Sequence, residues 1–282
     1  MSILSSSCVS MRWINTQCFE IKLPDGKTLI TDPFFEKPIS PMASQMYAMP
    51  MEFDVSQLEG CDYVVINHTH ADHCLSLGKI YERFHPMIIC HASVARALSN
   101  CFDIPTVDFY GFDIGQTYDF GSFQLSTYHA THNPIPRKPP SQTGDPTLRD
   151  FGFEGGGELM ELGMFYNVNF VFTLPNNFRI GFAAGTELKQ LWEQWRDVRP
   201  NLLLQQRSKS PDPADYAALI EGVGAQLMLT MHHEGDMNRG RDMNAYCDAV
   251  NELLISRGNC GRVLTPKQLQ WYDISLQISP RG

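Results

Sequence analysis

Apolar residues recur along this chain with two periods, one near two and one near 3.6, and their order predicts strands first and alternating strands and helices later. Val9 to Ile14, Cys18 to Leu23 and Thr28 to Thr31 read as an antiparallel entry, with Pro24-Asp25-Gly26 as the turn between the last two. Asp32-Pro33 ends the third run, because proline lacks an N–H and biases the residue before it toward extended geometry. A Pro- and Met-rich loop, 38–51, separates this entry from Tyr63-Val64-Val65-Ile66, whose unbroken apolar run predicts a strand buried on both faces. Leu75, Leu77, Ile80, Tyr81 and Phe84 then fall at helical spacing. Met87 to Cys90 is strand-like, and Ser93 to Asn100 is a short helical segment.

Further on, Phe123 to Tyr128 reads as a strand ending at His129, and Asn167 to Thr173 with Arg179 to Ala183 as a hairpin across Pro175-Asn176-Asn177. Between them, residues 133–157 carry five prolines and Gly155-Gly156-Gly157, a composition that predicts a lid or substrate loop rather than core. Leu188, Leu191, Trp192, Trp195 and Val198 share one helix face, and Leu202 to Leu204 is a strand. Asp212-Pro213 has the form of an N-cap followed by a first-turn proline. Gln226 to Met231 is a strand ending at His232-His233. A final helix carries Met243, Tyr246, Val250, Leu253 and Leu254 on one side and stops near Gly258. No repeat and no long linker interrupts the pattern, so residues 1–282 read as one domain of α/β class.

Composition narrows the partners. The formal charge of −9 opposes binding to a phosphate backbone, so no nucleic-acid partner is expected. No apolar stretch approaches the roughly 18 to 20 residues that cross a bilayer, which leaves no expected membrane span. Met1 to Ser10 has neither a basic n-region nor a long apolar h-region. The eight cysteines are scattered without CxxC spacing and read as reduced core thiols. Together these predict a cytoplasmic protein acting on a small molecule, with homo-oligomers left open.

The candidate chemistry is concentrated in His68-Thr69-His70-Ala71-Asp72-His73, directly after the buried strand. Alternate side chains of an extended segment point the same way, so His68 and His70 can converge on one ion. Asp72 and His73 follow where a helix should begin, which turns them toward a neighbouring position. Three imidazoles and a carboxylate suit Zn²⁺ best, with Mn²⁺ or Fe²⁺ also compatible, as one or two ions per chain. The chain has no GxSxG nucleophile elbow and no GxxxxGK[ST] phosphate loop. Arg137, Lys138 and Arg149 give the 133–157 loop a positive face that would suit an anionic substrate.

His68, His70, Asp72 and His73 resemble the HxHxDH signature of the metallo-β-lactamase superfamily, whose fold is a four-layer αββα sandwich. Trp13 to Glu20 is similar to that family's first hairpin, Thr31-Asp32-Pro33 to its strand-ending Asp-Pro, and Thr230-Met231-His232 to its last ligand strand. The resemblance implies that His68, His70 and His129 hold one metal ion while Asp72, His73 and His232 hold a second. His132 and His233 are the rivals of His129 and His232, or else substrate contacts. The family's bridging carboxylate, from its Gly-Asp-Thr, is missing: this chain reads Ala184-Gly185-Thr186-Glu187, and Gly185 has no side chain. Glu187 would either reach in as a replacement ligand or decorate the helix that begins near Leu188.

The expected activity is therefore that of a metal-dependent hydrolase acting on a small-molecule ester, lactone or phosphodiester, resembling the ascorbate-6-phosphate lactonase and N-acyl-phosphatidylethanolamine phospholipase-D-like branch. With one ion, Asp72 would be released to act as general base. The alternative is a metal- or ligand-binding protein of the same fold that lost turnover with its bridging carboxylate, and a nuclease comes third because of the acidic charge.

Overall fold

The computed structural model describes residues 5–41, 44, 52–132, 148–152, 156–184, 188–206 and 212–277. The entry runs through β1 (Ser5–Asn15), β2 (Cys18–Lys22) and β3 (Thr28–Thr31). Next come β4 (Tyr63–Val65), α1 (Ala71–Cys74), α2 (Leu77–Phe84), β5 (Met87–His91) and α3 (Ala92–Phe102). Then follow β6 (Phe109–Phe112), β7 (Thr117–Asp119), β8 (Gln124–His129), α4 (Gly157–Phe165), β9 (Val168–Thr173) and β10 (Arg179–Ala183). The chain continues through α5 (Leu188–Trp195), β11 (Leu202–Gln206), α6 (Pro213–Val223), β12 (Leu227–Met231) and α7 (Glu234–Asn238). It closes with α8 (Met243–Ser256), β13 (Arg262–Leu264) and β14 (Trp271–Gln277).

These strands form two sheets of matching design, in the orders β14-β1-β2-β3-β4-β5-β6 and β13-β12-β11-β10-β9-β8-β7. In the first, β14, β1, β2 and β3 pair antiparallel and β3 to β6 pair parallel. In the second, β7 to β10 are antiparallel and β10 to β13 parallel. The parallel neighbours β4 to β6 and β10 to β13 are linked through helices, as the crossover connection requires, while β3 reaches β4 through the longer segment 32–62. Phe19, Ile21, Val65, Ile89, Phe170, Phe172, Phe182 and Leu204 pack together between the sheets. Burying each such side chain contributes about 1.5–3 kcal/mol.

Helices cover both outer faces, which gives the αββα order of layers. Val64, Ile66, Ile88 and Cys90 meet Leu77, Ile80, Val94, Leu98, Leu159 and Met160 on one face. Leu203 and Met228 meet Leu191, Trp195, Tyr216, Ile220, Val250 and Leu254 on the other. Gly181 lets α5 approach its sheet, since a Cβ there would stand 2.7 Å from the Trp195 ring. The Asp212 N-cap forms as its sequence predicts: its carboxylate accepts from Ala214 N, and Pro213 occupies the first turn.

The structure departs from the sequence reading in several elements. The last described element is β14, a strand beyond the helix α8 that the sequence reading placed last. Its short, mixed run Trp271–Gln277 takes its strand form from antiparallel pairing with β1, a contact distant in sequence. β6, β7 and β13 are likewise short strands whose signal comes from their neighbours. Gly156 and Gly157 open α4 instead of extending a loop, with Gly156 as its N-cap at φ +73°. Of the expected lid over 133–157, residues 133–147 and 153–155 lie outside the described residues. Among the described residues no helix is long and apolar enough to cross a membrane.

Candidate metal centre

The segment after β4 is extended through His70 and then turns into α1, so the His68 cluster sits at the carboxyl end of a buried parallel strand. His68, His70, Asp72 and His73 are all buried. Two groups of three donors form around them. His68, His70 and His132 make one, and Asp72, His73 and His232 the other; within each, the donor atoms lie no more than 4.8 Å apart. The groups adjoin, with the His68 and His73 rings 3.8 Å apart between centroids.

His132 occupies the place for which the sequence favoured His129. β8 ends at His129, and that exposed ring is engaged by α5: Gln190 Nε2 donates to its Nδ1 at 3.1 Å. Gln194 donates to the His129 carbonyl at 2.8 Å. Ala130 N still bonds to Asn167 O, so the chain continues beside β9 past the strand end before His132 meets His68 and His70. The ring centroids of His132 are 5.0 Å from His68 and 4.4 Å from His70. Strand parity does not encode this three-residue extension.

His233 belongs to neither group. It is wholly buried and stacks on Trp13 at 4.6 Å between centroids. His232 is instead held in the left-handed region, at φ +50°, which swings its ring toward Asp72. Gly185 and Glu187 lie outside the described residues.

Residues on the far side of the rings contact the imidazoles at Nδ1. The Asn67 amide oxygen contacts His68 Nδ1, and Asn67 Nδ2 donates both to Asp32 and to Gln17 Oε1, the latter at 2.6 Å. Asp32 Oδ2 lies 2.9 Å from His73 Nδ1. Glu234 Oε2 lies 3.1 Å from His232 Nδ1. In all three rings the δ nitrogen is engaged from behind, which leaves the ε nitrogen toward the centre. His68 Nε2 is buried with no hydrogen-bond partner among the described residues, an arrangement that fits a metal donor better than a structural histidine. The sequence reading took Asp32 only as a strand terminator and did not single out Asn67 or Glu234.

The two groups differ electrostatically. Burial, reinforced by the neighbouring imidazoles, holds His68 well below its ordinary value and lowers His132 to about 3. Burial would raise the Asp72 carboxyl, but the His73 charge and the His232 hydrogen bond hold it well below the usual range. For His73, burial is outweighed by Asp72 and Asp32, which lift it to about 9. For His232, Asp72 and Glu234 likewise overcome burial and lift it to about 10. Asp72 Oδ2 is 3.4 Å from His73 Nε2 and 3.3 Å from His232 Nε2, so one carboxylate oxygen faces both imidazoles.

A glycine decides how closely the surroundings approach. Gly163 of α4 lies against His70, and a Cβ at that position would stand 2.5 Å from His70 Cδ2 and 3.0 Å from His70 N. The same helix is tied to the histidine segment by Thr69 Oγ1, which donates to Leu159 O at 2.6 Å.

Residues 27–151 match the family described as "Beta-lactamase superfamily domain". A protein of Polynucleobacter asymbioticus named as a metal-dependent hydrolase is 22% identical over 238 residues, covering 81% of this chain and 75% of its own. The solved structure of a possible metal-dependent hydrolase from Veillonella parvula is 13% identical, with a TM-score of 0.65 over 95% of this chain and 100% of that one. An isothiocyanate hydrolase from Delia radicum gut bacteria is 14% identical, with a TM-score of 0.65 over the same shares. The fold is thus the αββα sandwich of the metallo-β-lactamases.

Proposed function

We propose that this chain of the metallo-β-lactamase superfamily is a metal-dependent hydrolase of a small-molecule ester, lactone or phosphodiester, built on two adjacent ions. The observation that carries this reading is the pair of three-donor groups at the end of β4, with three of their rings engaged at Nδ1 and turned to present Nε2. His68, His70 and His132 would hold one ion, and Asp72, His73 and His232 the other. The donor set is rich in imidazole with a single carboxylate, which suits Zn²⁺ before Mn²⁺ or Fe²⁺.

When bound, such an ion supplies a water-derived nucleophile near pH 7 and polarises an oxygen of the scissile group. The chain's residues do the rest. Asn67, Asp32 and Glu234 keep the rings from rotating, so the donors need little reorganisation. His132 and His232 are the least buried of the six, which supports an approach for substrate from their side. Arg149, exposed in the short helical turn Leu148–Phe151, would favour an anionic substrate if that turn borders the approach. If only the first group is filled, Asp72 would act as general base by parting from His73 and His232, which pair with it.

Metal analysis of the purified full chain, combined with hydrolysis assays on ester, lactone and phosphodiester panels, tests the reading. Two ions per chain and turnover that is lost on chelation and restored by added metal are expected. Equal turnover before and after complete removal of metal would sink it. The second reading, a metal-binding protein without turnover, draws on Gly185 in place of the bridging carboxylate. Full occupancy with no hydrolysis on any panel would favour that reading.

A further inference from the structure

His232 stands at a left-handed backbone position between β12 and α7, and its main chain is fixed from the other sheet: its N–H donates to Thr16 O at 2.9 Å. Thr16 is itself at φ +41°, and its carbonyl also accepts from Trp13 Nε1 at 3.0 Å. The next residue, His233, turns inward onto Trp13, so the dipeptide divides its rings between the core and the metal centre. These contacts settle the backbone of His232 but leave its ring free to rotate about the side-chain bonds.

Glu234 removes that freedom. It is the first residue of α7 and only 1% exposed, a costly location for a carboxylate unless a specific partner repays the loss of water. Its Oε2 meets His232 Nδ1 at 3.1 Å, and its Oε1 has no hydrogen-bond partner among the described residues. The carboxylate makes no ion pair with an arginine or lysine among those residues. We propose that Glu234 is a positioning residue that locks the His232 ring with Nε2 toward the second ion. This rests on the two-ion reading above. It makes Glu234 the counterpart of Asp32, which holds His73 from behind in the same way.

The test titrates the metal-free full chain with Co²⁺ alone, following its visible d–d absorption, and compares wild type with Glu234→Ala, Glu234→Gln and His232→Ala. Glu234→Ala should weaken the second ion about 10- to 100-fold while leaving the first, on His68, His70 and His132, unchanged. Glu234→Gln retains an acceptor oxygen and should lose less. Unchanged affinity for the second ion in Glu234→Ala would overturn the proposal, as would an equal loss in Glu234→Gln. An unchanged first ion and unchanged thermal unfolding of the metal-free protein report that the variants fold. Should Glu234→Ala not fold, Glu234→Gln decides, a loss smaller than that of His232→Ala supporting the role and no loss overturning it. Retention of both ions in His232→Ala would refute the site assignment itself, and the role of Glu234 with it.

Discussion

The two donor groups share one loop yet are built on different principles. The first is three imidazoles, of which His68 and His132 are held below their ordinary values chiefly by burial, with an amide, Asn67, behind His68. The second joins Asp72 to two imidazoles backed by the carboxylates of Asp32 and Glu234. A divalent ion meets no formal negative charge at the first and three carboxylates at or behind the second. The first group therefore depends on geometry and close packing, while the second depends on charge. Within the second group Asp72 pairs with both imidazoles, whereas His68 Nε2 of the first is buried with no hydrogen-bond partner among the described residues.

The strongest way to break this pair is to remove a donor of the first group. His70→Ala should lose one ion per chain and more than about 1,000-fold in hydrolysis, because enzyme accelerations begin near 10⁶ and depend here on that ion. Wild-type metal content in that variant would refute the assignment. A sharper cut separates two nearby histidines. His132→Ala should also lose the first ion, whereas His129→Ala, at an exposed position, should keep both and shift stability by no more than about 0.5 kcal/mol. The reverse result, seen by metal analysis, would restore His129 to the site.

Asp32→Asn tests the charged support of the second group. The amide keeps the shape and tolerates the φ of +37° at this position, but it removes the charge facing His73. Affinity for the second ion should fall about 10- to 100-fold with the first unaffected, read by metal titration. Equal weakening of both would show that the groups are not separable. The smallest effect is expected from Gly163→Ala, which presses a methyl against His70. Overpacking of this kind costs about 1–3 kcal/mol. Thermal unfolding of the metal-free chain should register that cost, and only the first ion should bind more weakly. A second-ion defect instead would mean that α4 supports the whole centre.

Much of the site was legible because its donors are local. His68, His70, Asp72 and His73 lie within six residues after an apolar run, and strand-to-helix geometry alone brings them together. His232 was legible from its strand-end position and its likeness to the family's last ligand strand. His132 was less so, because the selection between it and His129 depends on α5 engaging one ring and on how far the chain runs past β8. Asp32, Asn67 and Glu234 were missed as supports for the same reason: a buried carboxylate or amide next to an apolar run carries no local mark of its partner. β14 was missed because only its pairing with β1 makes it a strand.

By itself, then, the order of apolar and polar residues determined the α/β class, most of the buried strands, and the cluster from His68 to His73, since each depends on contacts within a few residues. Tertiary structure decided which distant groups complete that cluster. It brought His132 and His232 from the second sheet to the first, turned His233 into the core against Trp13, and set Asp32 and Glu234 behind the rings they orient. Those outcomes depend on where the two sheets face each other. That placement is the joint product of the whole interior, from Phe19 to Leu204, and no short stretch of chain encodes it.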